Sequence, residues 1–320
     1  MDLQLTIIVP LYNAEKVLPA CLDSLRSQTI PVGVLLADDG STDNSPAIAD
    51  AFAANHPFAQ VLHLAHSGVT AARLAALQHV QTPFLAFLDA DDTLDPRFSE
   101  VMLSAALKQE ATLVFCPYRC IYNGIPRHIS YGGDTNARFQ GSTPIRHNPS
   151  LLLEIPSFFW GKIFQTEFFL QHIHFCAEAL AIEDVVVMYP FLIDVPTISK
   201  VPEPFYRYAI SPNSFCHSPR QELTRLPALR ELHRRFEKLG VLPTFLPQLY
   251  ALNRCYLFDQ LERLRNYVDP PHQHRVVREY FRHLDSTLPG WRPHPFHPTF
   301  YAAYWHAVVT WNAIRRKTSF

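Results

Sequence analysis

The chain has 320 residues, long for one core but ordinary for a catalytic domain of about 200 residues with an extension, so two structural units are expected. Its 28 Lys plus Arg offset 29 Asp plus Glu, and a formal net charge of -1 leaves no long-range field to gather nucleic acid. With 27 prolines against 10 glycines, turns and helix starts should be set by proline, and flexible Gly-rich linkers are excluded.

The six cysteines, Cys21, Cys116, Cys120, Cys176, Cys216 and Cys255, form no CxxC pair, so they read as buried thiols in a reducing compartment. No basic, apolar and small-residue succession opens the chain, and the apolar stretch from Ala179 to Val195 is interrupted by Glu183, Asp184 and Asp194. The expectation is a cytoplasmic protein, at most peripheral at the inner face of the cytoplasmic membrane.

In chain order, an apolar run at Leu5 to Val9 reads as a strand, followed by a helix whose apolar face is Val17, Leu18, Cys21, Leu22 and Leu25. The alternation continues with a strand at Val32 to Ala37, a helix near Pro46 to Ala54, and a strand at Val61 to Leu64. A helix near Thr70 to Val80 and a strand at Phe84 to Leu88 complete it. This pattern predicts an α/β fold with a mostly parallel, Rossmann-like sheet flanked by helices. Further extended segments are expected at Leu113 to Cys116, Phe158 to Phe164 and Thr197 to Val201. Beyond Ser218 the strand signal ends, and Leu223, Leu226, Leu229, Leu232, Phe236 and Leu239 recur at helical spacing. The predicted division is 1–100 as a nucleotide-binding half, 101–217 as an acceptor half and 218–320 as an all-α extension.

Parallel strands place their ligand crevice beyond their carboxyl ends, and two of these strands run into acidic loops. In Asp38-Asp39-Gly40-Ser41-Thr42-Asp43 a capped turn explains one carboxylate and leaves the other to be solvated or used, for instance by a base N–H. Asp89-Ala90-Asp91-Asp92 crowds three carboxylates whose repulsion a hard divalent cation relieves, although capping of the next helix explains an isolated DxDD equally well. Glu183-Asp184 sits in an apolar context where ionised groups are costly unless used, paired or placed at a helix N-terminus.

Four segments, Ile8 to Asn13, Asp38 to Asp43, Gly68 to Arg73 and Leu88 to Asp92, together resemble the family 2 glycosyltransferases in order and spacing. Trp160-Gly161-Lys162, Ile182-Glu183-Asp184 and Phe205-Tyr206-Arg207-Tyr208 extend the resemblance more weakly. It implies the GT-A fold and an inverting transfer from a nucleotide-diphosphate sugar, a UDP-sugar, to a hydroxyl of a saccharide or lipid-linked acceptor, as in bacterial surface polysaccharide or lipopolysaccharide synthesis. It further implies a divalent metal, Mn²⁺ or Mg²⁺.

Carried over residue by residue, the resemblance puts Pro10, Leu11 and Tyr12 beside the nucleobase. Asp39, in the Asp38-Asp39 pair, would accept a hydrogen bond from the base, and Arg73 would approach the diphosphate. Asp89 and Asp91, with Ala90 between them, would hold ribose and metal, and His217 would be a further metal ligand. Asp92, Trp160 and Lys162 would line the acceptor side. The general base falls on Glu183-Asp184, with Asp184 the better match. One departure is Leu74, where the family often has Asn.

No GxGxxG and no GxxxxGK[ST] occurs, which disfavours a dehydrogenase and a P-loop NTPase. A nucleotidyltransferase would carry a Gly-rich basic loop where this chain has Pro10 to Asn13, and a non-catalytic nucleotide-sugar module would not need Asp184. Within 299–320, Phe300, Tyr301, Tyr304, Trp305, Val308, Trp311 and Ile314 precede Arg315-Arg316-Lys317. That pattern suits either peripheral membrane contact or a helix packed on the core.

Overall fold

The computed structural model describes residues 2–122, 125–126, 144–176, 180, 182–210, 225–253 and 282. The chain divides into two compact units: Met1–Ala179 with Glu183–Ser214, and Leu180–Ile182 with Phe215–Phe320.

Uninterrupted apolar strands need cover on both faces, and in the first unit they alternate with helices that provide it. β1 (Leu5–Leu11), α1 (Leu18–Arg26), β2 (Gly33–Asp38), α2 (Ser45–Ala54), β3 (Ala59–His63), α3 (Val69–Leu77) and β4 (Phe84–Phe87) follow in turn. Every residue of β1, β2 and β4 is buried. Next come β5 (Thr93–Leu94), α4 (Phe98–Gln109), β6 (Leu113–Phe115), β7 (Tyr118–Tyr122) and β8 (Ile125–Pro126). β9 (Lys162–Gln165), α5 (Thr166–His172), α6 (Glu183–Ile193), β10 (Ile198–Lys200) and β11 (Tyr206–Ile210) complete the unit.

The main sheet has seven strands in the order β10-β6-β9-β4-β1-β2-β3, and its strands pair in parallel except for β9, which is antiparallel to β4 and β6. The in-register pairing Leu11↔Asp38 brings the ends of β1 and β2 side by side. The expected α/β class with a mostly parallel sheet is thus what the chain adopts.

A second sheet, ordered β5-β11-β7-β8, has no counterpart in the sequence reading. β5 has two residues, and β7 and β11 each carry an arginine at their second position, so neither presents the uninterrupted apolar run that marks the main strands. The strand expected from Phe158 starts only at Lys162, because the rings before it belong to an aromatic stack. Trp160 lies on Phe158 at 4.3 Å, on Tyr206 at 4.4 Å and on Tyr208 at 5.4 Å between centroids, with Tyr118 edge-on at 4.9 Å.

This second sheet braces the acidic loop that follows β4. The Tyr206 hydroxyl donates to Asp92 Oδ2, the Ala209 amide donates to Asp92 Oδ1 at 2.7 Å, and the Asp89 amide donates to the Tyr206 oxygen at 3.4 Å. Asp92 is 0% exposed, and burial followed by the charges of Asp89 and Asp91 pushes its pKa well up. Tyr206→Phe leaves that buried carboxyl with one donor fewer, which should cost about 1–3 kcal/mol. The measurement is the urea midpoint at unchanged slope; an unmoved midpoint would remove the brace from the account.

In the second unit, α7 (Arg225–Lys238) and helical residues 242–253 bury Leu229, Leu232, Phe236, Phe245 and Leu249, with Phe236 and Phe245 edge to face at 5.5 Å. Asn253 donates to the Leu249 carbonyl at 2.8 Å and faces His233 Nε2, also at 2.8 Å. His217, Cys216, Cys255 and 299–320 lie outside the described residues.

Candidate functional site

The carboxyl ends of β1, β2 and β4 are adjacent, and the loops leaving them meet at one rim. The first two are stitched together by short polar side chains. Asn13, at a positive φ of 48°, accepts the Thr42 amide at 2.8 Å, and its own amide donates to Ser41 Oγ at 2.9 Å. The Ala14 amide donates to Ser45 Oγ at 2.8 Å, the Glu15 amide to Asp43 at 3.1 Å and the Asn44 amide to Glu15 at 3.1 Å. Residues that favour turns because they bond their neighbours' backbone here fix one loop against the other.

Asp38 and Asp39 are each 3% exposed. Asp38 accepts the Ser41 amide at 3.0 Å, and its Oδ2 lies 3.2 Å from His63 Nδ1, whose other ring nitrogen is 3.0 Å from Asp50. These two hydrogen bonds, Asp38's first, raise the His63 pKa. Asp39 accepts the amides of Ser67 at 2.8 Å and Gly68 at 2.9 Å, so its charge sits at the start of α3, where helix-end N–H groups favour an anion. His66 Nδ1 lies 2.9 Å from Asp39 Oδ2 and 3.0 Å from the Asp39 carbonyl, and its ring stacks on Tyr12 at 4.2 Å and 21°. Gly40, at φ +70°, faces the same turn; a Cβ there would stand 2.8 Å from the His66 backbone nitrogen.

Arg73 and the remaining carboxylates form the other side of the site. Arg73 is 6% exposed, and its guanidinium lies over the Phe159 ring at 4.8 Å. Nη2 is 3.4 Å from Asp89 and Nη1 is 3.9 Å from Asp184, while buried Nε has no hydrogen-bond partner. Burial raises the Asp184 pKa to about 7, against the pull of Arg73 and with a further push from Asp89 and Glu183. One helical turn before Arg73, the Thr70 hydroxyl donates to Glu183 Oε2 and so ties α3 to the start of α6; Glu183 Oε1 is buried without a partner. Asp91 has its pKa raised by desolvation and then by the Asp89 charge.

The three residues expected on the acceptor side fold inward. Asp92 is held by Tyr206 and Ala209, and Trp160 lies within the aromatic stack. Lys162 is 1% exposed, donates to the Phe158 carbonyl at 2.7 Å, and has its pKa lowered to about 7 by burial. Each has interior partners that replace solvent: a hydroxyl and an amide for Asp92, three ring faces for Trp160, and two backbone carbonyls for Lys162. Leu74 turns to a groove of about 620 Å³ that it lines with Leu77, Val80, Leu170 and Ile173.

Three contributors carry no individual role that the sequence alone assigns. His66 is one of 16 histidines, Thr70 is a single hydroxyl opening a helix, and Tyr206 was read only as part of an aromatic segment. Among the described residues no group of three or more His, Cys, Asp or Glu could by itself hold a metal ion, and no helix is long and apolar enough to cross a membrane.

Residues 6–163 match the family model described as Glycosyl transferase family 2. The chain is 28% identical over 224 residues to "Putative glycosyltransferase EpsH" of Bacillus subtilis, a match covering 68% of this chain and 64% of that protein. It is 41% identical over 96 residues to "Teichoic acid poly(glycerol phosphate) polymerase" of Staphylococcus epidermidis, covering 28% of this chain and 13% of the polymerase. The chain therefore spans less than two thirds of either curated relative. Among solved structures, S. aureus TarS 1–349 in complex with UDP-GlcNAc superposes with a TM-score of 0.69 at 20% identity, over 90% of this chain and 82% of TarS 1–349. That likeness shows the GT-A fold.

Proposed function

We infer that this chain, which belongs to glycosyl transferase family 2 through residues 6–163, transfers a sugar from a nucleotide-diphosphate sugar to an acceptor hydroxyl. The observation that carries the reading is the meeting of Arg73 with both Asp89 and Asp184 at the carboxyl ends of parallel strands. One group suited to a diphosphate thereby stands between a cation-type carboxylate and a base-type carboxylate.

In this reading the donor is a UDP-sugar, with its base against Pro10, Leu11 and Tyr12 and within reach of Asp39. Ala90, on the loop between Asp89 and Asp91, faces the ribose side. Arg73 binds the diphosphate through Nη1 and Nη2, the nitrogens that stand near Asp184 and Asp89. Asp184, held at about 7 by burial, accepts the proton of the acceptor hydroxyl, and that oxygen attacks the anomeric carbon from the side opposite the leaving diphosphate. The anomeric configuration inverts. Glu183, tied by Thr70, sets the start of α6 and with it the place of Asp184.

The donor set at Asp89 and Asp91 fits Mn²⁺ or Mg²⁺: two hard carboxylates with no third protein ligand among the described residues suit a cation whose remaining positions go to phosphate oxygens and water. When bound, such a cation supplies positive charge against the departing diphosphate. The acceptor class in this reading is a hydroxyl of a saccharide or of a lipid-linked acceptor.

Calorimetry with UDP tests the site. Binding should be measurable with Mn²⁺ and fall by tenfold or more, roughly the value of one lost charge-assisted contact, in EDTA. Equal affinity in both would remove the cation from Asp89 and Asp91.

A further inference from the structure

We propose that His66 occupies the nucleobase's own seat in the free protein and has to swing out before the donor can bind. This inference rests on the base lying against Tyr12 and Asp39, as set out above.

Two contacts carry the inference. A pyrimidine held at this site needs an aromatic face to stack on and an acceptor for its ring N–H. His66 stands over both: its ring lies 4.2 Å from the Tyr12 ring at 21°, and Nδ1, held by the Asp39 carbonyl at 3.0 Å, stands 2.9 Å from Asp39 Oδ2. A planar, nitrogen-bearing ring stacked on Tyr12 and set against the Asp39 carboxylate fills the place that the base would take. At 4.2 Å between centroids, no second ring fits between them. The base and the imidazole are therefore alternatives at one place.

Displacement requires only side-chain rotation. The Asp39 carboxylate is also held by the Ser67 and Gly68 amides, which are backbone groups, so rotating His66 about its own side chain leaves the loop anchored. The imidazole is 57% exposed and has solvent to turn into. Exposed rotamers exchange in picoseconds to nanoseconds, far faster than ligand arrival, so the effect is on affinity and not on the rate of access. The protein that can accept a nucleotide is the fraction with His66 out, and the apparent dissociation constant is the intrinsic one divided by that fraction.

The expected consequence runs against the usual direction for a residue at a binding site. His66→Ala should bind UDP about two- to tenfold more tightly than the wild type, the range that an aromatic contact of this kind supports. His66→Phe keeps a ring for Tyr12 but cannot donate to Asp39, so its affinity should fall between the two. Tyr12→Ala, which removes the seat itself, should weaken UDP binding. Calorimetry with UDP on the full chain measures all three, and matching thermal melts would confirm that each variant is folded.

If His66→Ala binds UDP no better, or worse, while Tyr12→Ala still weakens it, His66 is a wall of the base site and not its occupant. The inference alone is then overturned. If Tyr12→Ala and Asp39→Asn both leave UDP affinity unchanged, the base does not sit there, and the proposed donor site falls together with the inference.

Discussion

Asp184→Asn should lower kcat by about 10² or more while UDP affinity holds, because an amide keeps the shape and removes the proton acceptor. The pH profile makes the assignment specific. With the carboxyl pKa raised to about 7 by burial, the active carboxylate form appears as pH rises, so wild-type kcat/KM should climb through an ascending limb near 7. The residual activity of the variant should lack that limb. Stability should move the other way. An acid whose folded pKa of about 7 exceeds its unfolded value of about 3.9 loses stability between those two values as pH rises. The Asn variant should therefore gain on the wild type between pH 4 and pH 8. A near-normal turnover would move the base to Glu183 or elsewhere.

Arg73→Met should weaken UDP binding by about 10- to 100-fold, the worth of a hydrogen-bonded charge at a phosphate. Because the guanidinium is the group that most strongly lowers the Asp184 pKa, its loss should also move the ascending limb to higher pH. Arg73→Lys should restore part of the affinity through charge but not the fork that addresses Asp89 and Asp184 from separate nitrogens. Calorimetry and the kcat/KM profile read the two effects separately. If both stayed at wild-type values, Arg73 would be a packing residue on Phe159.

Much of this was legible in the residues because the main strands are fully buried and the acidic loops end them. Ile7, Val9, Leu36 and Leu85 can only be interior, so a loop such as Asp38 to Asp43 or Asp89 to Asp92 had to emerge at a sheet edge. What was not legible depends on partners far along the chain. Thr93 and Leu94 become a strand only because Arg207 and Tyr206 pair with them, and no periodicity survives in two residues. Lys162, which the resemblance puts on the acceptor side, is interior because its ammonium meets the carbonyl of Phe158. His66 and Thr70 gain meaning only from Asp39 and Glu183, the latter 113 positions away.

The brace from Tyr206 to Asp92 bears on modularity. The segment recognised by the family model ends at 163, yet Asp89 and Asp92 lean on a hydroxyl 114 residues beyond Asp92, and Asp184 lies outside it too. A fragment cut at that boundary would keep every donor-side motif, lose the support under its acidic loop, and leave the Arg73 guanidinium facing Asp89 alone. The recognisable stretch is thus shorter than the piece that holds its own acidic loop in place. A chimera between relatives that keeps this brace intact needs its junction beyond Ile210, the last residue of the strand that carries it.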